Sequence, residues 1–400
     1  MLSQKIAEDY ADVLLWGLFT ARSRPFKNND LILVRFDWDG LVVAEALQKK
    51  ILEQGMNPVV RLLSTAVMER QFYELAGDKQ LVHIAPGDEE LYRNLNGNIA
   101  LLAPQSLRHL SHIDPSRMAR FAVSRKKFRD IMDERESDGR FGWSLGMVPT
   151  QALAREAGMS FPAYFRQWAG ACYLDREDPV GRWKETYARA QKIKAWLNGL
   201  DIEKLHVESK SCDLWVHLGR QRKWIGISGH NIPSFEIFLS PDFRHTSGIY
   251  YADQPSYRLG NQVSGVRLEF TKGVVTKVSA DQGEDFVKKQ LAMDKGASRV
   301  GEFSLTDRRL SPISRFMANT LFDENFGGKQ GNCHLAVGSS YADTFAGDPS
   351  ELTPKKKQSL GFNDSALHWD LVNTERKTVE ATLLSGEHLV IYKDGEFTLP

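Results

Sequence analysis

The sequence predicts an α/β N-terminal domain with a mostly parallel sheet, followed by a β-rich α+β C-terminal domain. Three observations predict this fold class. Short apolar runs alternate with helical patterns in the first half, and period-two alternation of apolar and polar residues dominates the second half. The length of 400 residues also exceeds what one hydrophobic core usually holds. We place the boundary near residue 200, which gives domains 1–200 and 201–400.

The first half reads as strands and helices in close succession after a charged amphipathic helix within residues 1–22. The predicted elements are strand Leu31–Phe36, turn Asp37–Gly40, helix Leu41–Gln54 stopped by Gly55, strand Pro58–Leu62 and strand Asn98–Ala103. Strand, helix and strand in this order predict a parallel sheet. The turn after the first strand lacks the glycine-rich pattern of a dinucleotide site, so the sequence does not favour nucleotide binding.

The pattern of apolar and polar residues changes after a long charged helix predicted from Asp178 to Leu200. The later strands alternate in period two and are separated by Gly and Asn turns: Leu214–Leu218, Lys223–Ile227, Gly265–Phe270, Val274–Val278, and the hairpin strands Thr378–Leu384 and His388–Tyr392. Lys272-Gly273 stands where a tight hairpin would turn. These signals predict a sheet-rich second domain.

Composition limits the function classes and the compartment. Lys plus Arg number 52 against 51 Asp plus Glu, which gives no support to nucleic-acid binding. The 3 cysteines form no CxxC pair, so a reducing compartment is the natural interpretation. The N-terminal helix carries too many charges for a signal peptide, and no apolar stretch approaches the ~18 residues that span a bilayer. We therefore expect a cytoplasmic protein that does not insert into a membrane.

Four segments of the second half contain residues that can bind metal. They supply Glu236 beside Phe235, Glu302 after a glycine, His334 with the nearby Tyr341, and His368 with Asp370. Each has an ordinary alternative: an exposed strand Glu, a capping Glu, a satisfied core His, and a chance pair. In a strand, however, His368 and Asp370 project from the same face and can together bind a divalent ion.

Together these segments place three carboxylates, two imidazoles and a phenol in one domain of a chain that has no HExxH motif. A mixed set of Glu, Asp and His is what a hydrolase with two metal ions needs, because one carboxylate can bridge the ions beside an activated water. The residues alone therefore favour a metal-binding catalytic domain without deciding which Glu takes which role.

The order of the segments resembles the aminopeptidase T / aminopeptidase S family of metallopeptidases. The resemblance rests on motifs that lie between residues 229 and 370: Asn231-Ile-Pro-Ser-Phe-Glu236, Gly301-Glu302-Phe303, Leu321–Asn325, Cys333-His334-Leu-Ala-Val-Gly338 with Tyr341, and His368-Trp-Asp370. Two departures are visible. Phe235 stands where many members have glycine, and the stretch 325–333 is longer than usual, so substrate preference is less certain than metal binding.

The resemblance implies a metal-dependent aminopeptidase. It implies metal ligation by Glu236, Glu302, His334, His368 and Asp370. It further implies a pair of divalent ions (zinc, cobalt or magnesium), peptide substrates with a free N-terminus, and a homodimer. Tyr341 would be a catalytic hydroxyl, and Glu236 or Glu302 would bridge the ions or act as general base.

Two alternatives stay open at this point. The same resemblance covers ring-cleaving dioxygenases with one Fe(II), for which His334, His368 and Asp370 would supply the required two histidines and one carboxylate. Retention of Glu236 and Glu302 favours the hydrolase. The second alternative is a metal- or peptide-binding protein without catalysis on the same scaffold, which only an activity assay excludes.

Overall fold

The computed structural model describes residues 2–348 and 351–399, and the chain forms two compact units. The first unit is Met1–Trp183 with Ser228–Pro233, and the second is Lys184–Ile227 with Ser234–Pro400. The domain boundary near residue 200 stays a prediction. The two units are groups of residues that lie close together in space, and such a grouping does not test which segments fold independently.

The helices alternate with strands in the first unit and are fewer in the second. The helices are α1 Gln4–Ala21, α2 Leu41–Glu53, α3 Ala66–Leu75, α4 Asp78–Leu81, α5 Asp88–Asn94, α6 Pro115–Ser137, α7 Gln151–Glu156, α8 Phe161–Ala171, α9 Pro179–Asn198, α10 Glu284–Leu291, α11 Thr320–Asp323 and α12 Pro354–Leu360. The strands are β1 Leu31–Phe36, β2 Asn57–Leu62, β3 Gly97–Leu102, β4 Gly142–Met147, β5 Ile202–Ser209, β6 Asp213–His217, β7 Asn231–Ile232, β8 Glu236–Leu239, β9 Ser247–Ala252, β10 Ser256–Arg258, β11 Asn261–Val263, β12 Val266–Thr271, β13 Val274–Ser279, β14 Val300–Thr306, β15 Asn332–Gly338, β16 His368–Asn373, β17 Lys377–Leu383, β18 His388–Lys393 and β19 Glu396–Phe397.

The first unit is built on a five-stranded sheet in the order β2-β1-β3-β4-β7, and all its pairings are parallel. The interior strand β1 is mostly buried and apolar, as expected for a strand covered on both faces. The α/β fold class predicted for this half is confirmed, and β1, α2, β2 and β3 lie within a residue or two of their predicted bounds.

Strand β4 was missed by the sequence analysis because its glycines look like strand breakers. A Cβ on Gly142 would lie 2.8 Å from the Cβ of Arg22, and a Cβ on Gly146 would lie 2.5 Å from the Tyr10 hydroxyl. Both neighbours belong to α1 or its C-cap. The glycines therefore mark the close approach of a helix to the sheet, which is one of the recognised uses of glycine within a strand.

The second unit contains an eight-stranded sheet and a four-stranded sheet, whose pairings are antiparallel. Their orders are β13-β12-β9-β6-β5-β17-β18-β19 and β16-β15-β14-β8. Two buried tyrosines of the larger sheet donate hydrogen bonds to the main chain of the smaller one. Tyr250 donates to the carbonyl of Leu371 at 2.6 Å, and Tyr392 donates to that of Thr306 at 2.7 Å. The β-rich class predicted for this half is confirmed.

The strand predicted at Lys223–Ile227 was wrong. In this segment Ile225 alone forms an isolated bridge, to Phe238. The backbone then takes positive φ values of 138° at Gly226 and 48° at Ile227, which end the extended conformation. The N–H of Trp224 is satisfied by the Asn198 side chain at 2.7 Å, so the segment does not need a strand partner at that position.

Two further expectations can be compared with the described residues. Cys172, Cys212 and Cys333 are all free and buried, which agrees with the absence of a disulfide framework. Within the described part of the chain, no helix combines the length and the apolar character required to span a bilayer.

The predicted hairpins at Lys272-Gly273 and Ser385-Gly386 both form, and they allow a matched test of turn geometry. Gly273 has φ +78°, and a Cβ there would lie 2.0 Å from the carbonyl oxygen of Phe243, whereas Gly386 has φ +88° and open space around it. Gly386→Ala should therefore cost about 1–2 kcal/mol of conformational strain alone. Gly273→Ala should lower the urea and thermal unfolding midpoints more than Gly386→Ala does. Its new methyl group would clash with the Phe243 carbonyl, so the turn would also have to move. Equal midpoints for the two variants would contradict this account.

Candidate metal centre

The four-stranded sheet has one apolar face and one polar face. Its apolar face is entirely buried and consists of Ile237, Leu239, Phe303, Leu305, Cys333, Leu335, Val337, Trp369 and Leu371. The residues between them carry the polar groups, because successive side chains of a strand point to opposite faces. This alternation places the candidate ligands on one surface that is backed by hydrophobic core.

Strand register brings the candidate ligands together. Glu302 of β14 stands opposite Ala336 of β15, which stands opposite Asp370 of β16. One step along the strands, Ser304, His334 and Val372 are opposite one another, and Gly338 is opposite His368. Glu236 of β8 is paired with Thr306. Directly opposite residues share a face, so all five predicted ligands project from the polar face.

The glycine before Glu302 has a structural reason. The pairing of β14 with β15 shifts register between Val300 and Glu302, where Gly301 lies. A Cβ on Gly301 would lie 2.2 Å from the carbonyl oxygen of Ser339. Irregularities of this kind redirect a side chain beside a site. Here the shift moves Glu302 to the polar face while Val300 stays buried with its partner Val337.

The five side chains form two overlapping groups. The first group is Glu236, Glu302 and His334: the His334 Nε2 lies 3.2 Å from a Glu236 oxygen and 3.0 Å from a Glu302 oxygen. The second group is Glu302, His368 and Asp370: the His368 Nε2 lies 3.7 Å from the other Glu302 oxygen and 3.4 Å from Asp370 Oδ1. Asp370 Oδ1 also lies 3.9 Å from His334 Nε2. Glu302 is the member common to both groups.

Main-chain carbonyls fix the orientation of both imidazoles. His334 Nδ1 lies 3.2 Å from the carbonyl oxygen of Glu324, and His368 Nδ1 lies 2.8 Å from that of Ser339. A carbonyl only accepts a hydrogen bond, so each Nδ1 donates, and each Nε2 is the nitrogen that faces the carboxylates. This arrangement of outer partners is typical of histidines that bind metals.

The pKa values of this cluster are displaced by burial and by mutual charge. Burial raises the pKa of Glu302 to about 7, against the opposing hydrogen bond from His334. Burial lowers the pKa of His368, but the charge and hydrogen bond of Asp370 outweigh this effect and raise it to about 9. His334 behaves in the same way, since its contacts with Glu236 and Glu302 raise its pKa well above the usual value.

Glu324 is a fourth buried carboxylate of the cluster that the sequence analysis left without a role. Burial and then the charges of Glu236 and Asp370 raise its pKa well above the usual range. Its neighbour Asn325 is fully buried and accepts the N–H of Phe235 at 2.5 Å, next to Glu236. The signal was present, because both residues belong to the Leu321–Asn325 motif, but sequence spacing does not indicate which acid of the motif faces inward.

The residues of β15 that stand opposite the ligands are small. Ala336 faces both Glu302 and Asp370 across the sheet, and Gly338 faces His368. A Cβ on Gly338 would lie 2.1 Å from the carbonyl oxygen of Leu367, so this position accepts no side chain. Along β15, His334 therefore supplies a ligand, Ala336 places a small side chain opposite Glu302 and Asp370, and Gly338 permits the close approach of the Leu367 carbonyl.

Tyr341 lies at the edge of the cluster. Its ring centroid is 4.6 Å from that of His368 and 5.8 Å from that of Phe238. The residue remains 44% exposed, in contrast to the buried glutamates. Desolvation and then the charges of Glu302 and Asp370 raise the pKa of Tyr341 well above its usual value, so the phenol keeps its proton and can donate it in a hydrogen bond.

The charge of the cluster suits divalent metal ions. Glu236, Glu302, Glu324 and Asp370 contribute four negative charges when ionised, and neutral histidine ligands add none. Buried like charges are costly unless a counter-charge is present. Divalent cations supply such a counter-charge, and carboxylate and imidazole donors suit them. The residues present therefore fit a metal centre.

The chain thus combines a parallel α/β unit with a β-rich unit that carries this carboxylate–imidazole face. The chain belongs to the thermophilic metalloprotease (M29) family, whose sequence model matches residues 3–397. The resemblance noted from the motifs is thereby confirmed.

Individual relatives agree with this assignment. Aminopeptidase T of Thermus aquaticus is 29% identical over 271 residues, covering 64% of this chain and 63% of that protein. Aminopeptidase PepS of Streptococcus thermophilus is 28% identical over 270 residues, with the same two shares. The chain thus spans 63% of the length of these curated relatives. The solved structure of wild-type AmpT from Thermus thermophilus has a TM-score of 0.81 at 20% identity, covers 98% of this chain and 99% of its own, and supports the fold.

The displaced pKa values predict that metal binding depends on pH. In the metal-free protein, Glu302 and His368 hold protons below their pKa values of about 7 and about 9. An ion must displace these protons, so its affinity should rise with pH up to about 9 and fall as pH drops through about 7. Asp370, with a pKa of about 2, adds no dependence in this range. Zinc titration calorimetry in buffers of different ionisation enthalpy should detect proton release near neutral pH. Affinity independent of pH would contradict the assignment.

Proposed function

We propose that this chain is a metal-dependent aminopeptidase that uses two divalent ions to hydrolyse N-terminal residues from peptides. The observation that carries the proposal is the position of Glu302 between two groups of ligands, each completed by a histidine and a second carboxylate. Membership of a metalloprotease family and relatives named as aminopeptidases support it.

The proposed ligand roles follow the two groups. Glu236 and His334 would hold one ion, His368 and Asp370 the other, and Glu302 both. Such a pair of ions lowers the pKa of a bound water and polarises a carbonyl group. Glu302 is favoured over Glu236 as the shared ligand, because Glu236 belongs to one group and its carboxylate accepts a hydrogen bond from Ser304 at 3.4 Å.

Proton transfer and charge stabilisation fall to other residues of the cluster. Glu324 stands outside both ligand groups yet interacts electrostatically with Glu236 and Asp370, so we assign it the general-base role. The expectation from the sequence that Glu236 or Glu302 acts as the base stays a prediction beside this proposal. Tyr341 would donate its hydroxyl hydrogen to the carbonyl oxygen as that oxygen gains negative charge.

The two-ion hydrolase is favoured over a centre with one Fe(II). Glu236 and Glu302 lie within hydrogen-bonding distance of His334, and a site of two histidines and one carboxylate would leave both glutamates buried without a counter-charge.

We further propose zinc, cobalt or magnesium as the ions, a homodimer as the assembly and the cytoplasm as the location. The free, buried cysteines support the last point.

Removal of metal should abolish activity. Purified protein supplied with zinc, cobalt or magnesium should hydrolyse an aminoacyl-anilide with a free amine, a chelator should stop the reaction, and added metal should restore it. The N-acetylated substrate should not be cleaved. Glu302→Gln should lose activity and bound metal, while the exposed Glu208→Gln on β5 should keep both. Undiminished turnover in chelated protein would falsify the proposed function.

Tyr341→Phe should separate a catalytic hydroxyl from a ligand. Loss of one donor to the developing negative charge typically costs about a hundred- to a thousandfold in kcat. Metal content and thermal stability should remain at wild-type values, because Tyr341 belongs to neither ligand group. Tyr251→Phe on β9 is the matched control and should leave kcat unchanged. A Tyr341→Phe rate within about threefold of wild type at full metal content would remove the residue from the mechanism.

A further inference from the structure

Two histidines outside the metal centre lie against each other in the second unit. His217 ends β6, and His245 ends the short 3-10 turn Phe243–His245. Their ring centroids are 5.3 Å apart, and the ring planes are inclined by 49°. Both side chains line a cleft of about 420 Å³. His217 is half-buried and His245 is exposed, so the pair can be reached from solvent.

The contact between these two imidazoles differs from the contacts of other histidines in the chain. Outside the metal centre, five histidines each lie 2.7–2.8 Å from a carboxylate oxygen: His109, His112, His206, His230 and His388. Among the described residues, no carboxylate lies within ion-pairing distance of the His217 or His245 ring. The nitrogens of both rings are therefore available to another partner.

The separation of the two rings agrees with that of two imidazoles on one metal ion. Zinc binds an imidazole nitrogen at about 2.0–2.1 Å, which places the ring centroid about 3.2 Å from the ion. At the tetrahedral angle, the centroids of two such rings lie about 5.2 Å apart. The observed separation of His217 and His245 is 5.3 Å, so the main chain already holds the rings at the distance that one shared ion requires.

Main-chain hydrogen bonds fix this separation. The N–H of Asp242 donates to the carbonyl oxygens of His217 and Leu218 at 3.0 and 3.1 Å, which joins the end of β6 to the turn that carries His245. The Asp242 carboxylate accepts the N–H of Arg244 at 3.1 Å and so caps the same turn. A site that is ordered in advance loses little conformational freedom when it binds a ligand.

The charges around the pair also favour a cation. Burial and then the charge of His245 lower the pKa of His217, so this ring is neutral near pH 7 and loses no proton when it binds an ion. Glu203 and Asp242 line the same cleft and act on His217 with negative charge, against the positive charge of Lys204. An ion in the cleft is therefore attracted by two acids and meets two imidazoles.

We propose that His217 and His245 bind a further divalent transition-metal ion of the zinc, nickel or copper class. Imidazole nitrogen suits these ions, whereas magnesium and calcium prefer oxygen ligands. Neither histidine belongs to the two ligand groups around Glu302, so the site is separate from that centre. The proposal does not depend on the proposed function.

The position of the site in the fold indicates a structural role. The ion joins β6 to the segment that follows β8, the strand that begins with Glu236. In that segment, the Ser240 hydroxyl accepts the N–H of Tyr341 at 2.8 Å. An ion at the histidine pair therefore holds in place a segment that contacts both ends of the catalytic face.

The number of zinc ions bound per chain tests the site. The full chain is stripped with a chelator and dialysed against zinc, and bound metal and protein are then measured. His217→Ala and His245→Ala should each bind one zinc ion fewer per chain than wild type. His388→Ala removes an exposed histidine that is paired with Glu380, and it should bind the wild-type number.

His245 is exposed, so its substitution keeps the test available if His217→Ala does not fold. A wild-type number of zinc ions in folded His245→Ala would overturn the proposal. So would an equal loss in His388→Ala, which would indicate adventitious binding to surface histidines.

Glu302→Gln separates this site from the centre of the proposed function. This variant should lose the ions of that centre and keep one zinc ion, which the added His245→Ala change should remove. A folded Glu302→Gln protein without zinc would overturn the second site and leave the proposed function standing. Magnesium should not replace zinc in Glu302→Gln. Equal uptake of magnesium would assign the ion to the acids Glu203 and Asp242 and overturn the histidine site.

Discussion

The concentration of negative charge on one face of a small buried sheet governs the rest of the second unit. Glu236, Glu302 and Glu324 are at most 7% exposed, and together with Asp370 they surround His334. Such a cluster is unfavourable without a positive partner, so the surrounding structure must hold it in place. The apolar underside of the sheet, the tyrosine hydrogen bonds to its main chain and the carbonyls that orient the imidazoles all serve this purpose.

Sequence reasoning succeeded where periodicity and residue type carry the information. Strand β1 and helix α2 follow from apolar runs and turn signals, and the shared face of His368 and Asp370 follows from their spacing of two. Sequence reasoning failed where the local structure depends on contacts with residues far away in the chain. Gly142 and Gly146 of β4 look like breakers until helix α1 is placed upon them, and Lys223–Ile227 alternates like a strand although its backbone turns at Gly226.

The site residues that the sequence indicated are recognisable by residue type, whereas those it did not indicate depend on long-range contacts. The predicted ligands are of types that bind metals, so their chemistry is visible in the sequence. Glu324, Asn325 and Ala336 act through position: a buried acid, a hydrogen bond to the N–H of Phe235, and a gap across from Asp370. Only the tertiary structure reveals such roles, because they depend on residues far apart in the chain. The irregularity at Gly301 is a further example, since it decides which way Glu302 points.

The order of the four strands makes the two ligand groups unequal in their anchorage. In the first group, His334 and Glu302 lie on the central strands β15 and β14, and Glu236 alone lies on an edge strand, β8. In the second group, His368 and Asp370 both lie on the edge strand β16. Edge strands open more readily than central ones, because fewer main-chain hydrogen bonds must break. The group on β16 therefore loses its geometry at a lower free-energy cost. Local opening of β16 should therefore disperse the Glu302–His368–Asp370 group while the Glu236–Glu302–His334 group is still intact.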